Sequence, residues 1–209
     1  MHMTVCRMNF QKMYQTNDTI IRESLIALLT EECAAFPDHR IIPELGLWHG
    51  AARIDVAVVN GVLHGFEIKS DRDTLSRLPE QMQAYNAIFD QVTLVVGSKH
   101  FVDAFKLVPE WWGIKTAHVS ETGLVSFNTI RRPENNPEQD DVSIARLLWR
   151  REALDLLESL GKADGVRSKP REAVYKRLVE SLELEPLKKH VWGVLQSPRQ
   201  DWRSDVQLA

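Results

Sequence analysis

Three ionisable residues stand at the ends of two apolar, strand-like runs. Asp55 lies near the start of Arg53-Ile54-Asp55-Val56-Ala57-Val58-Val59, and Glu67 and Lys69 end Val62-Leu63-His64-Gly65-Phe66-Glu67-Ile68-Lys69. Strand interiors disfavour such groups, because ionised side chains are costly to desolvate. Two carboxylates converging on one point suit a hard divalent cation such as Mg2+ or Mn2+, which takes oxygen ligands and keeps several waters. The Ile68 carbonyl could add a further oxygen. Lys69, one strand repeat from Glu67, could orient or deprotonate a water and offset negative charge developing on a phosphate. This is the equipment of metal-assisted phosphodiester hydrolysis. Glu-x-Lys alone describes a surface ion pair at a strand edge better than it describes a site. Asp55 on the preceding strand, on a shared face with a small residue between, favours the site.

The two runs flank Asn60-Gly61, a strong hairpin signal. Side chains alternate faces along a strand, so the loop length decides which acids meet. A strict two-residue loop pairs Val59 with Val62 and puts Asp55 and Glu67 on opposite faces. A three-residue loop, Val59-Asn60-Gly61, pairs Val58 with Val62 and Asp55 with Gly65, with Gly61 in the left-handed position. That register collects Asp55, Gly65, Glu67 and Lys69 on one face and Ile54, Val56, Val58, Val62, Phe66 and Ile68 on the other, with His64 as its polar member. An odd-numbered loop is therefore expected, with Gly65 leaving open space beside Asp55 for a metal or a phosphate oxygen.

Asp55 followed by Glu67-Ile68-Lys69 at the end of the next strand resembles the core of the PD-(D/E)XK nuclease superfamily. Gln81 and Tyr85 match the Gln-x-x-x-Tyr motif of its RecB-like branch. The run from Glu44 to Gly97 is similar to a group of small bacterial proteins assigned to that superfamily. The resemblance covers the first two-thirds of the chain, and the order and spacing of short motifs carry it. It implies a restriction-endonuclease-like fold in which Asp55 and Glu67 bind the metal, Lys69 is catalytic, and Gln81 and Tyr85 face the site from the next helix. Ile54 stands where the superfamily motif has proline. Some members have lost catalysis while keeping the fold, so the rival reading is a non-catalytic nucleic-acid-binding protein; the intact Asp55, Glu67 and Lys69 set argues against it. A protein-interaction module is a third reading.

The elements that must position these residues are legible in the patterning. Asn17-Asp18 caps a helix to about Ala35 with Ile20, Ile21, Leu25, Leu28 and Leu29 on its apolar face. Glu31 and Glu32 near its end read as a solvated face. Arg40–Gly46 is a first strand or extended lead-in, whose Glu44 could reach the metal or pair with Arg53. Arg53 in turn could contact phosphate or pair with an acid, and His49 lies in the intervening turn. Ser70–Thr74 reads as a polar turn and short helix capped by Asp71 or Asp73. A main helix over Pro79–Phe89 sets Gln81 and Tyr85 one turn apart on one face. The alternative for Tyr85 is core packing with its hydroxyl at the rim. A buried strand follows at Gln91–Gly97, then a short helix from Phe101 to Val108 and strands at Ile114–Val119 and Leu124–Phe127. Trp111 and Trp112 read as packing residues. The expected fold is α/β, a mixed sheet flanked by helices in the order α, β, β, β, α, β.

Arg131 to Asp140 reads as a linker between a nuclease-like domain, 1–130, and an all-helical C-terminal subdomain, 141–209. Helices are expected over Val142–Leu160, from Ser168 as N-cap to Leu182, and over Leu184–Leu195. Three short helices in series match a DNA-contacting module presenting Lys169, Arg171, Lys176 and Arg177, or a plain helical appendage on the core, the favoured reading. Arg72, Arg77 and Lys99 are further phosphate contacts or ordinary surface charge. The chain carries 26 Lys/Arg against 29 Asp/Glu: 13 against 18 in residues 1–140, and 13 against 11 beyond. That balance argues against tight binding of nucleic acid by bulk charge. Two cysteines, Cys6 and Cys33, provide neither a disulfide framework nor a zinc pattern, which fits a reducing, cytoplasmic setting. No signal peptide and no membrane-spanning apolar run are expected. The expected partners are DNA, with RNA as a second candidate, and by the resemblance a second copy of the chain for cutting both strands.

Overall fold

The computed structural model describes residues 15–197; Cys6 and the outermost parts of the two expected domains lie outside the described residues. Asn17 caps α1 (Asp18–Cys33) by accepting from the Ile20 amide at 3.1 Å. Ile21, Leu25, Leu29 and Cys33, spaced by four, form its buried stripe, while Glu31 and Glu32 are exposed. The chain then lays down β1 (Arg40–Leu47), a single 3-10 turn at Trp48–Gly50, β2 (Ala52–Val59), β3 (Leu63–Lys69), α2 (Leu78–Ile88) and β4 (Gln91–Gly97). α3 (Phe101–Leu107), β5 (Gly113–Val119) and β6 (Val125–Arg131) complete the sheet. The six strands lie in sequence order, antiparallel from β1 to β3, parallel from β3 to β5, and antiparallel between β5 and β6. The mixed α/β sheet expected from the sequence is present.

Helices cover both faces. α1 packs on Val56, Val58, Phe66, Ile68, Val95 and Ala117. The opposite face, with Ala57, Val59, Leu63, Val92, Leu94 and Val96, packs on α2 and the C-terminal helices in one continuous apolar cluster. Those helices are α4 (Asp141–Ala145), α5 (Arg150–Ser159), α6 (Arg171–Ser181) and α7 (Leu184–Gln196). The expected single helix over 142–160 is thus two. The chain breaks where Leu147 and Leu148 are both buried, and Glu152 restarts the helix by accepting from the Trp149 amide at 2.7 Å. Ser168 does not cap α6; Pro170 precedes its first turn, consistent with the tolerance of proline at helix starts.

The segment before α4 is strapped to the core. The Asn136 side chain donates to the Asn86 and Phe89 carbonyls at 2.6 and 2.9 Å, and the Asp140 amide to the Ala87 carbonyl at 2.9 Å. Asp90 joins the layers. One of its oxygens takes the Leu63 amide at 2.6 Å and the Trp192 indole at 3.1 Å, and the other lies 2.6 Å from Lys188 Nζ. A buried carboxylate is tolerated when it is paired and hydrogen-bonded in this way. Among the described residues no helix is long and apolar enough to cross a membrane.

The β2–β3 hairpin has a three-residue loop, as face segregation requires, but the loop is Asn60-Gly61-Val62. The register pairs Val59 with Leu63 and Val56 with Phe66, two residues away from the expected pairing. Gly65 therefore lies opposite Ala57 rather than Asp55. It opens no space for a ligand: a Cβ there would stand 3.0 Å from the Phe89 ring, which fills the position. Past β3 the chain makes a turn rather than a short helix, and neither acid caps one. Asp73 accepts from the Ser70 amide and hydroxyl at 2.7 and 2.6 Å, and Asp71 takes the Thr16 and Lys99 amides at 2.9 and 3.0 Å.

Gly97 makes the Asp71 anchor possible. A Cβ at Gly97 would lie 2.4 Å from Asp71 Oδ1 and 2.7 Å from the Asp71 amide nitrogen, and the second atom is backbone that cannot rotate away. Gly97→Ala should therefore destabilise the protein by about 1–3 kcal/mol, read as a lower urea midpoint. Stability equal to wild type would contradict this packing.

Candidate active site at the fork between two strands

The site is built where β2 and β3 part. Their ladder ends at Val56–Phe66. One residue further, Asp55 Oδ2 accepts from the Ile68 amide at 2.8 Å, so a side chain replaces the next backbone rung. A strand residue exchanges its N–H and C=O with the same neighbour, so the Ile68 carbonyl also looks into this gap.

Asp55 reaches the gap because the alternation of faces breaks there. On β1, Ile42 and then Leu45 and Leu47 pack in the larger cluster; on β2, Ile54 and then Ala57 and Val59 do so. Both sequences change parity at the rung between Pro43–Val56 and Leu45–Ile54, which holds Glu44 and Asp55. Glu44 has φ of 53°, in the left-handed region that few non-glycine residues adopt. Ile54 accordingly leaves the face of Val56 and Val58, and Asp55 turns to Arg22 on α1 instead of sharing the α2 side with Glu67 and Lys69, contrary to the expectation from strict alternation.

Glu67 and Lys69 point to the α2 side. Glu67 is only 2% exposed and Lys69 7%. Lys69 Nζ donates to Glu67 Oε1 at 2.6 Å and to Gln81 Oε1 at 3.0 Å. Gln81 Nε2 donates to the same Glu67 oxygen at 2.9 Å and to the Tyr85 hydroxyl at 3.1 Å. That hydroxyl lies 2.7 Å from both Glu67 Oε2 and the Arg53 carbonyl, and its single proton serves one at a time. Burial, then the Glu67 carboxylate, pushes the Tyr85 hydroxyl far above its usual range, so it stays a donor. The ring is fully buried, edge-on to Phe89. Both sequence readings of Tyr85, core packing and site contact, thus describe one residue. Gln81, Tyr85, Glu67 and Lys69 form one connected network, and Asp55 feels Glu67 electrostatically.

Glu44 pairs with arginines. Its Oε1 lies 3.1 Å from Arg22 and 3.7 Å from Arg53, so the pairing alternative describes it. Arg53 is 64% exposed and free to turn outward. Arg22, on α1, belongs to no motif in the sequence. Its Nη2 lies 2.8 Å from both Asp18 and Asp55. The only local signal was the Asp18–Arg22 spacing of four beside an apolar stripe. Arg72, Arg77 and Lys99 are exposed around the loop after β3. Lys169, just before α6, and Lys176, on α6, are exposed. Arg177 spends its guanidinium on the Lys162 and Asp164 carbonyls. Arg171 and Glu172 approach His49, which stacks on Tyr175 with ring centroids 5.7 Å apart.

The donor set fits a hard divalent cation. Asp55 and the Ile68 carbonyl offer oxygen at the gap and Glu67 offers it from the α2 side; two carboxylates plus waters is the ordinary protein share of a Mg2+ shell. No group of three or more His, Cys, Asp or Glu suited to a metal occurs among the described residues. Asp55 is short of positive charge. Burial, then the Glu67 carboxylate, pushes its acid up to about 7, against the opposing pull of the Ile68 amide and Arg22.

A stability slope follows. Between about pH 4, where Asp55 ionises unfolded, and about pH 7, the native state holds the extra proton. Native stability owed to Asp55 is therefore full below that window and falls as pH rises through it. Asp55→Asn cannot ionise, so its stability relative to wild type should rise across the window by on the order of 1–4 kcal/mol. Urea unfolding at about pH 4.5 and about pH 8 measures this; a constant difference would contradict the buried, charge-starved aspartate.

Comparison with known proteins places the chain in a family. The family model described as bacteriophage P4 protein cII matches residues 11–205. Protein cII of Enterobacteria phage P4 is 32% identical over 124 residues, 59% of this chain. The match spans 47% of that protein, about half its length. A solved structure of a protein of unknown function from Silicibacter pomeroyi aligns with a TM-score of 0.41 at 17% identity, over 71% of this chain and 96% of that one. The chain belongs to the bacteriophage P4 protein cII family.

Proposed function

We propose that the protein is a metal-dependent nuclease of restriction-endonuclease-like fold that hydrolyses DNA phosphodiester bonds at the β2–β3 fork. The observation that carries this reading is the buried Glu67–Lys69–Gln81–Tyr85 network with Asp55 beside it. It unites the five residues of the PD-(D/E)XK and RecB-like motifs, drawn from two strands and a helix. Burying a carboxylate and an ammonium together seldom benefits stability compared with apolar residues. Such a pair beside an aspartate that burial and a second carboxylate push up to about 7 is characteristic of working sites.

In this reading Asp55, Glu67 and the Ile68 carbonyl hold Mg2+ or Mn2+, which supplies Lewis acidity to the scissile phosphate and to a water. Gln81 and Tyr85 fix the Glu67 carboxylate by donating to both of its oxygens. Lys69 is held 2.6 Å from Glu67, where its ammonium orients the attacking water and neutralises charge growing on the phosphate. In this reading the exposed Arg53, Arg72, Arg77 and Lys99 serve as phosphate contacts. They carry no sequence information by themselves. The overall charge of −3 limits non-specific affinity.

Cleavage of single-stranded, duplex and branched DNA and of RNA, with Mn2+ or Mg2+, tests the proposal. DNA should be cut, with the activity abolished by chelation. Lys69→Ala and Asp55→Ala, checked for folding, should each reduce the rate by about 100-fold or more. Cleavage that survives both substitutions contradicts the assignment. DNA binding that persists at moderate salt without cleavage of any substrate supports the non-catalytic scaffold instead.

A further inference from the structure

Asp55 has one oxygen tied to backbone and one left over. Oδ2 holds the Ile68 amide, so Oδ1 is the oxygen that can meet a cation. Arg22 already takes it at 2.8 Å. The same Nη2 lies 2.8 Å from Asp18, and Nη1 lies 3.1 Å from Glu44. One guanidinium thus serves three carboxylates. Glu44 is turned toward it by a left-handed residue in the middle of a strand, a costly backbone state that persists only where the surroundings impose it. Nearby, Lys69 balances Glu67, and Arg53 is too exposed to contribute much. The acids therefore outnumber the cations that face them. Arg22 is also suited to leave. Its Nε has no hydrogen-bond partner among the described residues, so pivoting the side chain breaks no bond there. Asp18, its anchor in the first turn of α1, is 38% exposed.

We propose that Arg22 is the resident counter-ion of the site: it holds Asp18, Glu44 and Asp55 before loading, gives up Asp55 Oδ1 when a divalent cation binds, and is thereby released to a substrate phosphate. This rests on the metal-binding reading above and adds a positioning residue and a built-in competitor to it. A guanidinium is well matched to both roles, since its planar fork pairs with carboxylate and phosphate alike.

Calorimetric titration with MnCl2 compares wild type with Arg22→Gln. Removing the competitor should tighten Mn2+ binding by about tenfold, within the usual range of coupling between two ligands. In wild-type protein, whose folding is not at issue, Mg2+ should move or broaden the Arg22 guanidinium resonance in a 15N-edited spectrum. An Arg22 resonance unmoved at Mg2+ saturation overturns the exchange whatever the variant does. Equal or weaker Mn2+ binding by folded Arg22→Gln also overturns it, while wild-type binding leaves the metal site standing. Absence of Mn2+ binding in both proteins overturns the exchange and the metal reading together.

Discussion

The constraint on which the structure turns is the burial of Glu67. A carboxylate this far from water must be neutralised by its surroundings. Lys69, two residues on along the same strand face, provides the charge, and α2 provides the remaining donors from Gln81 and Tyr85. This sets the pitch and rotation of α2 on the sheet. Its residues 81 and 85 must look at the end of β3, while Leu78, Ala84 and Ile88 enter the apolar cluster. The C-terminal helices then seal the same cluster, and Asp90 locks α7 to the start of β3. A polar centre that is fully satisfied can specify a unique arrangement rather than weaken the core.

Around that centre the sheet departs from regularity at one rung. Glu44 and Asp55 stand where both β1 and β2 exchange their inward and outward faces. The exchange lets Asp55 cap the Ile68 amide and face α1 through Arg22, instead of entering the oil with Ala57. Regular alternation through this point would have turned Asp55 to the α2 side with Glu67 and Lys69, away from Arg22. Strand irregularities concentrate at functional sites for this reason: they re-aim a side chain that alternation would misplace.

Much of this was legible in the sequence, because it depends on local chemistry. The strand pair, the odd loop, α2 with Gln81 and Tyr85 on one face, and the buried β4 all follow from periodicity, turn residues and motif spacing. The hairpin register came out two residues off because the face argument fixes only parity; Val62 joined the loop, and no residue pattern distinguishes that from the neighbouring odd register. The supposed cleft at Gly65 failed because Phe89, from the end of α2, fills it. The helix break before Trp149 carries no proline or glycine; the burial of Leu147 and Leu148 decides it, and that is a tertiary matter. Arg22 was missed for the same reason. A helical arginine 33 positions from its aspartate is placed by the packing of α1 on the sheet, which no local spacing encodes.

On the proposed reading Asp55 and Glu67 share a divalent cation at the fork. An anomalous difference map from crystals soaked in Mn2+ tests it most directly. One peak is expected within coordination distance, about 2.0–2.3 Å, of an oxygen from each of the two carboxylates. A peak at other acids only, or none between Asp55 and Glu67 at millimolar Mn2+, would contradict it.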